Sequence, residues 1–241
     1  MPLSFVDHLE QRLREAPPAQ KRQRTNERLK LAAAKVLEQK GYHGLRVTDV
    51  TAIAETADGS FYAYFKDKTD ITLTVLTELL EDFFPSQMSG PGSSEVFGGI
   101  LAANRRWFEL SEANSGLLRC ILQISDETPG FSRLFNQVNR RWLERVAQAV
   151  GRQREISPKA ALLLGYMLGA MMDELVRKLI VYPDLELAAL LEDLGADAAT
   201  VVDAASLVWL RVLYPDEPRP VGYPPVVGIV ADALAFAPRP T

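Results

Sequence analysis

Side chains that can bind phosphates or base edges lie close together in one short stretch of this sequence: Ser60, Tyr62, Tyr64 and Lys68. Hydroxyl and ammonium groups are the donors that proteins use on the phosphate oxygens and base edges of DNA. Gly59 precedes them and, having no side chain, allows another backbone to come close. The chemistry that this stretch offers is therefore noncovalent recognition.

The segment that carries these groups is predicted to be a short helix. Phe61 and Phe65, four residues apart, indicate a helix over residues 58–65 with an apolar inner face. A second short helix is predicted over residues 47–54, and Glu55-Thr56-Ala57 separates the two. This order is typical of a helix-turn-helix, in which one helix braces against the backbone and the next enters the major groove.

A longer helix is predicted before this pair. Its apolar face consists of residues at helical spacing, namely Leu29, Ala32, Ala33, Val36 and Leu37. We expect Thr25 or Asn26 to cap its start and Gly41 to end it.

The distribution of charge distinguishes this region from the rest of the chain. The whole protein has a net charge of −4, but residues 20–70 contain ten Lys and Arg against seven acidic residues. The asymmetry predicts one end that faces DNA and another that does not.

The remainder of the chain is predicted to be helical, because no alternating apolar pattern indicates a strand. A fourth helix is expected over residues 69–84, capped by Asp67 and ending at Pro85. Its inward-facing residues are expected to be Ile71, Val75, Leu76, Leu79, Leu80 and Phe83. Further helices are predicted near residues 95–109, 113–124, 132–152, 158–181, 185–194 and 198–213. The fold class is thus all-α, in four segments: an N-terminal extension (1–19), a helix-turn-helix domain (20–68), a ligand-binding and dimerisation domain (69–214) and an irregular Pro-rich arm (215–241).

Several kinds of site are not supported by the sequence. With Cys120 as the only cysteine, no intramolecular disulfide can form, and His8 and His43 have no partners at metal-ligand spacing. We expect no metal and no cofactor. The N-terminus does not have the pattern of a signal peptide, and no apolar run is long enough to span a membrane, so a cytoplasmic location is expected.

The helix-turn-helix region resembles the N-terminal signature of TetR-family repressors between Arg24 and Ile71. The matching runs are Gly41-Tyr42, Val47-Thr48-Asp49-Val50, Ala54, and Gly59-Ser60-Phe61-Tyr62-Ala63-Tyr64-Phe65-Lys66-Asp67-Lys68. The resemblance implies DNA contacts by Thr48, Ser60, Tyr62, Tyr64 and Lys68, and core positions for Val50, Phe61 and Phe65. The alternative is a helical subdomain that has no role in binding nucleic acid.

The sequence departs from the family at the turn, where Ala54-Glu55-Thr56-Ala57 replaces the usual Ala-Gly-Val-Ser. Glu55 stands where a glycine would tolerate a positive φ, so strain or a different turn is expected. Because the usual capping serine is Ala57, we expect Thr56 or Asp58 to cap the next helix. Asp58 is also a candidate DNA contact, since a carboxylate can accept from cytosine N4.

The resemblance further implies an apolar cavity among the helices between Glu95 and Val181. Candidate lining residues, each of which could instead be ordinary core, are Trp107, Phe108, Cys120, Phe135, Trp142, Met167 and Met171. Candidate polar groups are Asn104, Arg105, Gln123 and Asn139.

A homodimer is also implied, through the helices over 158–181 and 198–213. Gly165 and Gly169 would allow close approach of helices, and an apolar surface would come from Leu207, Trp209, Leu210 and Leu213. The alternative is that these residues are buried within one subunit.

The leading functional hypothesis is a regulator, usually a repressor in this family, that binds a palindromic operator in double-stranded DNA as a homodimer. A small apolar or amphipathic effector would release it by favouring a form with wrongly spaced recognition helices. The helix over 69–84 would couple the effector site to the DNA-binding domain.

A second hypothesis is a DNA-binding protein without an effector, controlled by its abundance or by a partner that binds the Pro-rich arm. An enzyme is not supported, because the sequence has no Glu-x-x-His pair, phosphate loop or Rossmann glycine pattern.

Overall fold

The computed structural model describes residues 3–89, 93, 95–234 and 236, and the regular elements among them are all helices. They are α1 (Phe5–Glu15), α2 (Lys21–Gly44), α3 (Val47–Ile53), α4 (Asp58–Phe61), α5 (Lys68–Glu78), α6 (Phe84–Met88), α7 (Val96–Ala113), α8 (Ser115–Glu127), α9 (Pro129–Gly151), α10 (Pro158–Val176), α11 (Leu185–Asp193), α12 (Ala198–Leu213) and α13 (Pro225–Ala233), with π-helical turns over Leu79–Phe83 and Arg177–Val181. The all-α prediction is confirmed. None of the described helices is long and apolar enough to cross a membrane.

The chain divides into two compact units. The N-terminal unit comprises Met1–Ser89 and Leu110–Val138, and the second unit comprises Gly90–Glu109 and Asn139–Thr241. Each is described by itself below.

In the N-terminal unit, α1 is an ordered helix that packs on α2. Ser4 caps it by accepting from the backbone N–H of Asp7 at 3.2 Å, and the buried side chains of Phe5 and Leu9 face inward. The N–H of Phe5 donates to the side-chain oxygen of Asn114 at 2.7 Å, which ties the start of α1 to the residue before α8. The extension is therefore part of the packed unit.

The α2 helix starts earlier than its sequence indicates. Neither Thr25 nor Asn26 caps it: the helix begins at Lys21, and the Thr25 hydroxyl donates to the carbonyl of Lys21 inside the first turns. Arg24 explains the early start, because its guanidinium donates to the carbonyls of Pro18 and Ala19 and holds the incoming link against the helix. The predicted inner face is confirmed, since each of its residues is at most 1% exposed: Leu29, Ala32, Ala33, Val36 and Leu37.

The helix after the helix-turn-helix continues past Pro85, contrary to prediction. Its expected inward residues are all buried, namely Ile71, Val75, Leu76, Leu79, Leu80 and Phe83. A π-helical turn over Leu79–Phe83 then leads into α6, whose first turn contains Pro85. The hydrogen-bond register changes in this π-helical turn, shortly before Pro85, which has no N–H to donate.

The second unit is held together by polar links inside its helical packing. The guanidinium of Arg105 on α7 forms a two-pronged ion pair with the buried carboxylate of Asp203 on α12, at 2.6 and 2.7 Å. One turn along α12, the Ser206 hydroxyl accepts from the side-chain amide of Asn104 at 3.1 Å. These groups, two of which were candidates for an effector site, therefore serve to join α7 to α12.

The C-terminal arm contains a helix that was not predicted, although residues 215–224 are irregular as expected. Residues Pro225–Ala233 form α13, which packs on α12 through Val227 and Ala231 against Leu207. Arg219 reinforces this by pairing with Asp232. Pro224 and Pro225 misled the prediction, because they lie immediately before and in the first turn of α13, where proline favours a helix start. Residues 235 and 237–241 of the arm lie outside the described part.

Candidate nucleic-acid interface

The two short helices that form the candidate interface are positioned by an apolar inner face. Val50 of α3 and Phe61 of α4 are completely buried, and Ala54 and Phe65 are 2% and 5% exposed. The rings of Phe61 and Phe65 pack against each other with centroids 5.7 Å apart. Burial of these residues turns the intervening side chains of α4 toward solvent.

The segment over residues 58–65 is less regular than predicted. Only Asp58–Phe61 is α-helical, and the chain continues to Phe65 through turns closed by backbone bonds from Tyr64 and Phe65 to the carbonyl of Phe61. Tyr62 is 62% exposed, although it is a large aromatic residue. Both the ring and the hydroxyl group of Tyr62 are therefore accessible to a partner.

The other residues predicted to touch DNA differ in how accessible they are. Thr48 and Ser60 are exposed, and a side chain added at Gly59 would meet no atom within 4 Å. Tyr64 is half-buried. The structure therefore brings Thr48, Gly59, Ser60 and Tyr62 to the surface, with Tyr64 only partly available.

The turn between α3 and α4 has the strained geometry expected from its sequence. Glu55 has a φ of 50°, and it is the one non-glycine residue with a positive φ in the part of the chain that the structure describes. Its carboxylate accepts from the guanidinium of Arg28 on α2 at 2.9 Å. The substitution for glycine is thus accompanied by an ion pair that the glycine could not form.

Neither expected residue caps α4. The residue before the helix is Ala57, which makes no side-chain cap, and the Thr56 hydroxyl donates to the carbonyl of Ala57. The carboxylate of Asp58 instead accepts from the hydroxyl of Thr51, a residue of α3 that is 1% exposed. Asp58 therefore joins the two short helices to each other. The structure supports this role more directly than the predicted contact of Asp58 with a base.

Lys68 lies at the start of α5. Its ammonium nitrogen is 4.9 Å from the centre of the Tyr42 ring, a cation–π geometry. The helix start is fixed by the preceding Asp67, whose carboxylate accepts from the backbone N–H groups of Thr69 and Asp70 at 2.8 and 2.9 Å. The prediction that Asp67 caps this helix is confirmed.

Within residues 20–70, acidic side chains near the turn have partners in the chain, whereas several cations have no ion pair with the described residues. Acidic side chains near the turn are engaged inside the chain, as with Asp49, which pairs with Lys40, and Asp70, which accepts from the backbone N–H of Lys66. Among the described residues, no ion pair with an acidic side chain is found for six cations, namely Lys21, Arg22, Arg24, Arg46, Lys66 and Lys68, and of these Arg24 donates to backbone carbonyls. The cations left over are those available to phosphates.

A cleft of 1160 Å³ lies in the N-terminal unit and was not foreseen from the sequence. Residues of α1, α2 and α5 line it, together with Ala63 and Tyr64. At its edge, Arg12 of α1 and Lys30 of α2 each pair with both Glu27 and Glu78, at 2.6 to 2.8 Å. The sequence offered no signal for this network, because its members are far apart along the chain.

The ion pairs of this network perturb one of its carboxylates. Burial alone would raise the pKa of Glu78, but hydrogen bonds and charges from Lys30 and Arg12 outweigh that effect and hold the pKa below its ordinary value. Glu78 therefore remains ionised and keeps α1 attached to α5.

The α8 helix is fastened to the C-terminal half of α2. The Glu38 carboxylate accepts from the backbone N–H groups of Gly116 and Leu117 at 2.9 and 3.1 Å, which satisfies the first turn of α8. The backbones are so close that a Cβ at Gly116 would lie 2.0 Å from the carbonyl oxygen of Glu38. Only glycine fits at this crossing.

The residues of α8 that were candidates for an effector site have structural partners in the N-terminal unit. Cys120 is completely buried, and its thiol donates to the carbonyl of Leu37 at 3.5 Å. Burial raises the pKa of this thiol to about 12, so it is unreactive at neutral pH. Gln123 accepts from the backbone N–H of Tyr42 at 3.1 Å.

The proposed effector residues do not all belong to one unit. Cys120 and Phe135 lie in the N-terminal unit, whereas the second unit contains the other five: Trp107, Phe108, Trp142, Met167 and Met171. Trp142 packs edge-on against Trp209 with ring centroids 5.9 Å apart. Met167 is 62% exposed, which makes it a surface residue of the single chain.

The six residues proposed for the dimer interface lie in the core of one chain. Gly165 and Gly169 pack on the side chain of Leu143, and four residues of α12 are at most 3% exposed: Leu207, Trp209, Leu210 and Leu213. The small residues of α10 thus serve packing within the unit. The apolar residues that α10 exposes are instead Leu163, at 61%, with Tyr166 and Met167 one turn further.

The first comparison with known proteins concerns the short helices. Residues 31–75 match the family model for bacterial regulatory proteins of the tetR family. A fatty acid metabolism regulator protein of Bacillus subtilis (strain 168) is 38% identical over 52 residues, which are 22% of this chain and 27% of that protein. The match thus spans about a quarter of the curated relative's length.

Solved structures share the fold over much more of the chain. A tetR-family transcriptional regulator from Streptomyces coelicolor aligns with a TM-score of 0.62 and 11% identity, covering 88% of each chain. The transcriptional regulator FadR from Bacillus subtilis, in complex with stearoyl-CoA, aligns with a TM-score of 0.54 and 17% identity, covering 75% of this chain and 95% of that one. At these identities the similarity is one of fold.

Proposed function

Since the chain carries the N-terminal domain of the TetR family of bacterial regulatory proteins, we propose that it represses transcription by binding a palindromic operator as a homodimer. An amphipathic effector releases it from the DNA. One recognition segment, over residues 58–65, enters a major groove in each half-site, and two-fold symmetry of the protein matches that of the operator.

The observation that carries the proposal is the exposure of Tyr62 on a segment whose two phenylalanines are buried. Tyr62 is 62% exposed, whereas Phe61 and Phe65 on the inner face are 0% and 5% exposed. The neighbouring Ser60 and Thr48 are exposed hydroxyls, and the nearby acids are held by partners within the chain. A surface with free donors, free cations and engaged acids favours binding to a polyanion.

The exposed face of α10 supports the dimer. Leu163, Tyr166 and Met167 are spaced at three and four residues, so they form one apolar stripe along the helix. A second copy of the chain can cover the same stripe by two-fold symmetry, which buries it on both subunits at once. We therefore assign the interface to this stripe in place of the buried glycines and the buried residues of α12.

The effector proposed is a long-chain acyl thioester. The support is the stearoyl-CoA complex of the FadR regulator that shares this fold, and stearoyl-CoA meets the expectation of an amphipathic effector. By linkage, an effector that binds better to the released form lowers the affinity for DNA by the same factor as DNA lowers the affinity for the effector.

Selection of duplexes from a randomised DNA library tests the DNA-binding proposal. We expect recovery of an inverted repeat whose half-sites lie about one helical turn apart. Recovery of no enriched sequence would contradict it. Addition of stearoyl-CoA to the selected complex should release the DNA, whereas free CoA, the matched control, should not. Equal release by both, or by neither, would contradict the effector proposal alone.

A further inference from the structure

The ring of Tyr42 lies beneath the ammonium group of Lys68. The nitrogen is 4.9 Å from the ring centre, and the ring itself is 5% exposed. The Tyr42 hydroxyl forms a hydrogen bond with the hydroxyl of Thr69 at 3.1 Å, on the residue that follows the lysine. One side chain of α2 therefore holds both of the first two residues of α5.

Tyr42 is itself held at a break in α2. Gly41 has a φ of 73° and a ψ of 175°, so the helix is interrupted there and the N–H of Tyr42 has no ordinary helical partner. Gln123 of α8 supplies one, accepting at 3.1 Å. A Cβ at residue 41 would lie 3.3 Å from the same amide oxygen, so the glycine leaves room for this side chain.

We propose that Tyr42 is a positioning residue for DNA binding, which fixes the Lys68 ammonium group for one phosphate of the operator, and that Gln123 anchors Tyr42 from α8. The inference rests on the proposed function. Tyr42 and Gln123 both lie outside the recognition segment, and in this proposal neither contacts the DNA or the effector directly.

The physical reason lies in the freedom of a lysine side chain. A lysine at a surface samples many rotamers, and that freedom is lost when its ammonium group binds a phosphate. A ring beneath the cation restricts these rotamers before DNA arrives, so less entropy is lost on binding. A cation–π contact occupies one side of an ammonium group, which has three donors, so the cation–π contact and a phosphate contact are compatible.

A double-mutant cycle on DNA affinity and its salt dependence tests the role of Tyr42. The duplex is the one selected from the random library, and the variants are Lys68→Ala, Tyr42→Leu and both together. Lys68→Ala should reduce the slope of log affinity against log salt by about one, the value for a lost phosphate contact. Tyr42→Leu should weaken binding about three- to tenfold in the parent, and should have no further effect once Lys68 is alanine.

Gentler variants keep the test independent of folding. Thr69→Val removes the hydrogen bond but leaves the ring, and Gln123→Leu removes the anchor of Tyr42 while Gln123→Glu retains an acceptor. We expect Gln123→Leu to weaken DNA binding when Lys68 is present and to have no effect on DNA binding when Lys68 is alanine. Gln123→Glu should not weaken DNA binding.

The inference is overturned if Tyr42→Leu and Gln123→Leu weaken binding equally with and without Lys68, or if they leave the affinity of the parent unchanged. If the parent binds the selected duplex tightly but the effects of the variants are additive, this inference is wrong and the proposed function still stands. Failure to bind any duplex removes both.

Discussion

Arg28 donates from its guanidinium to the carboxylate of Glu55 at 2.9 Å, and this pair links α2 to the one strained turn of the helix-turn-helix. A carboxylate near a DNA surface would repel phosphates, but here its charge is opposed by a cation of the same chain. The pair is exposed, with 83% of the Glu55 side chain accessible, so its contribution to stability is small.

The turn should become more stable when Glu55 is replaced by glycine. A left-handed backbone costs a non-glycine residue about 1–2 kcal/mol, whereas the exposed ion pair contributes at most about 1 kcal/mol. We therefore expect Glu55→Gly to have a higher free energy of unfolding than Glu55→Ala, by about 1 kcal/mol. Chemical denaturation measures both. Equal stability of the two variants would mean that the φ of this residue imposes no strain.

The link between α3 and α4 should matter more for DNA binding than for folding. Thr51→Val removes the donor to Asp58, at a cost of about 1 kcal/mol in unfolding free energy. The recognition segment then loses its side-chain link to α3, so DNA affinity should fall while Thr51→Ser, which keeps the hydroxyl, binds normally. Identical affinities of the valine and serine variants would contradict a positioning role for this hydrogen bond.

The network at α1 should make stability depend on pH. The pKa of Glu78 is lowered in the folded protein, so the unfolded chain takes up a proton first as the pH falls. The contribution is complete above the ordinary pKa of 4.5 and is lost as the pH falls below it. Glu78→Gln should therefore be less stable than the parent at pH 7, by about 2–3 kcal/mol, and the difference should shrink toward pH 3.

Thermal unfolding at several pH values measures this effect. Asp82→Asn is a suitable control, since Asp82 lines the same cleft without joining the network of ion pairs. A stability difference between Glu78→Gln and the parent that stays constant from pH 7 to pH 3 would contradict the assigned charge state.

The apolar stripe on α10 predicts which substitutions produce a monomer. Leu163→Asp together with Met167→Asp would place two charges in the interface on each subunit, and we expect the dimer to dissociate at micromolar concentration. Ile229→Asp, at a residue of α13 that is 59% exposed, is the matched control and should leave the dimer intact. Sedimentation velocity distinguishes the outcomes. A double variant that stays dimeric would place the interface elsewhere.

The sequence was most informative where local spacing decides the structure. The inner face of α2, the burial of Phe61 and Phe65 and the cap at Asp67 all depend on residues a few positions apart, and all were predicted. The positive φ at Glu55 agrees with the first of two expectations, strain or a different turn, which rested on the glycine that the family pattern has at this position.

Long-range pairing could not be predicted in this way. Gly116 is required because α8 crosses α2 at Glu38, and Gln123 finds Tyr42 across the same crossing, 81 residues away in sequence. The six residues predicted for the dimer interface are buried within the chain, and spacing did not show this for a related reason. Helical periodicity separates an apolar face from a polar one, but it does not tell which of two apolar faces on α10 packs inside the subunit.

Fluorescence anisotropy with the DNA upstream of this protein's own gene, at two salt concentrations, tests the central claim most directly. The parent is compared with Tyr62→Ala and with Ile229→Asp as a variant of an exposed apolar residue outside the recognition segment. We predict tight, salt-sensitive binding by the parent and the control, and a loss of at least about tenfold in Tyr62→Ala. Binding by Tyr62→Ala that equals the parent at both salt concentrations would contradict the assignment of the recognition surface.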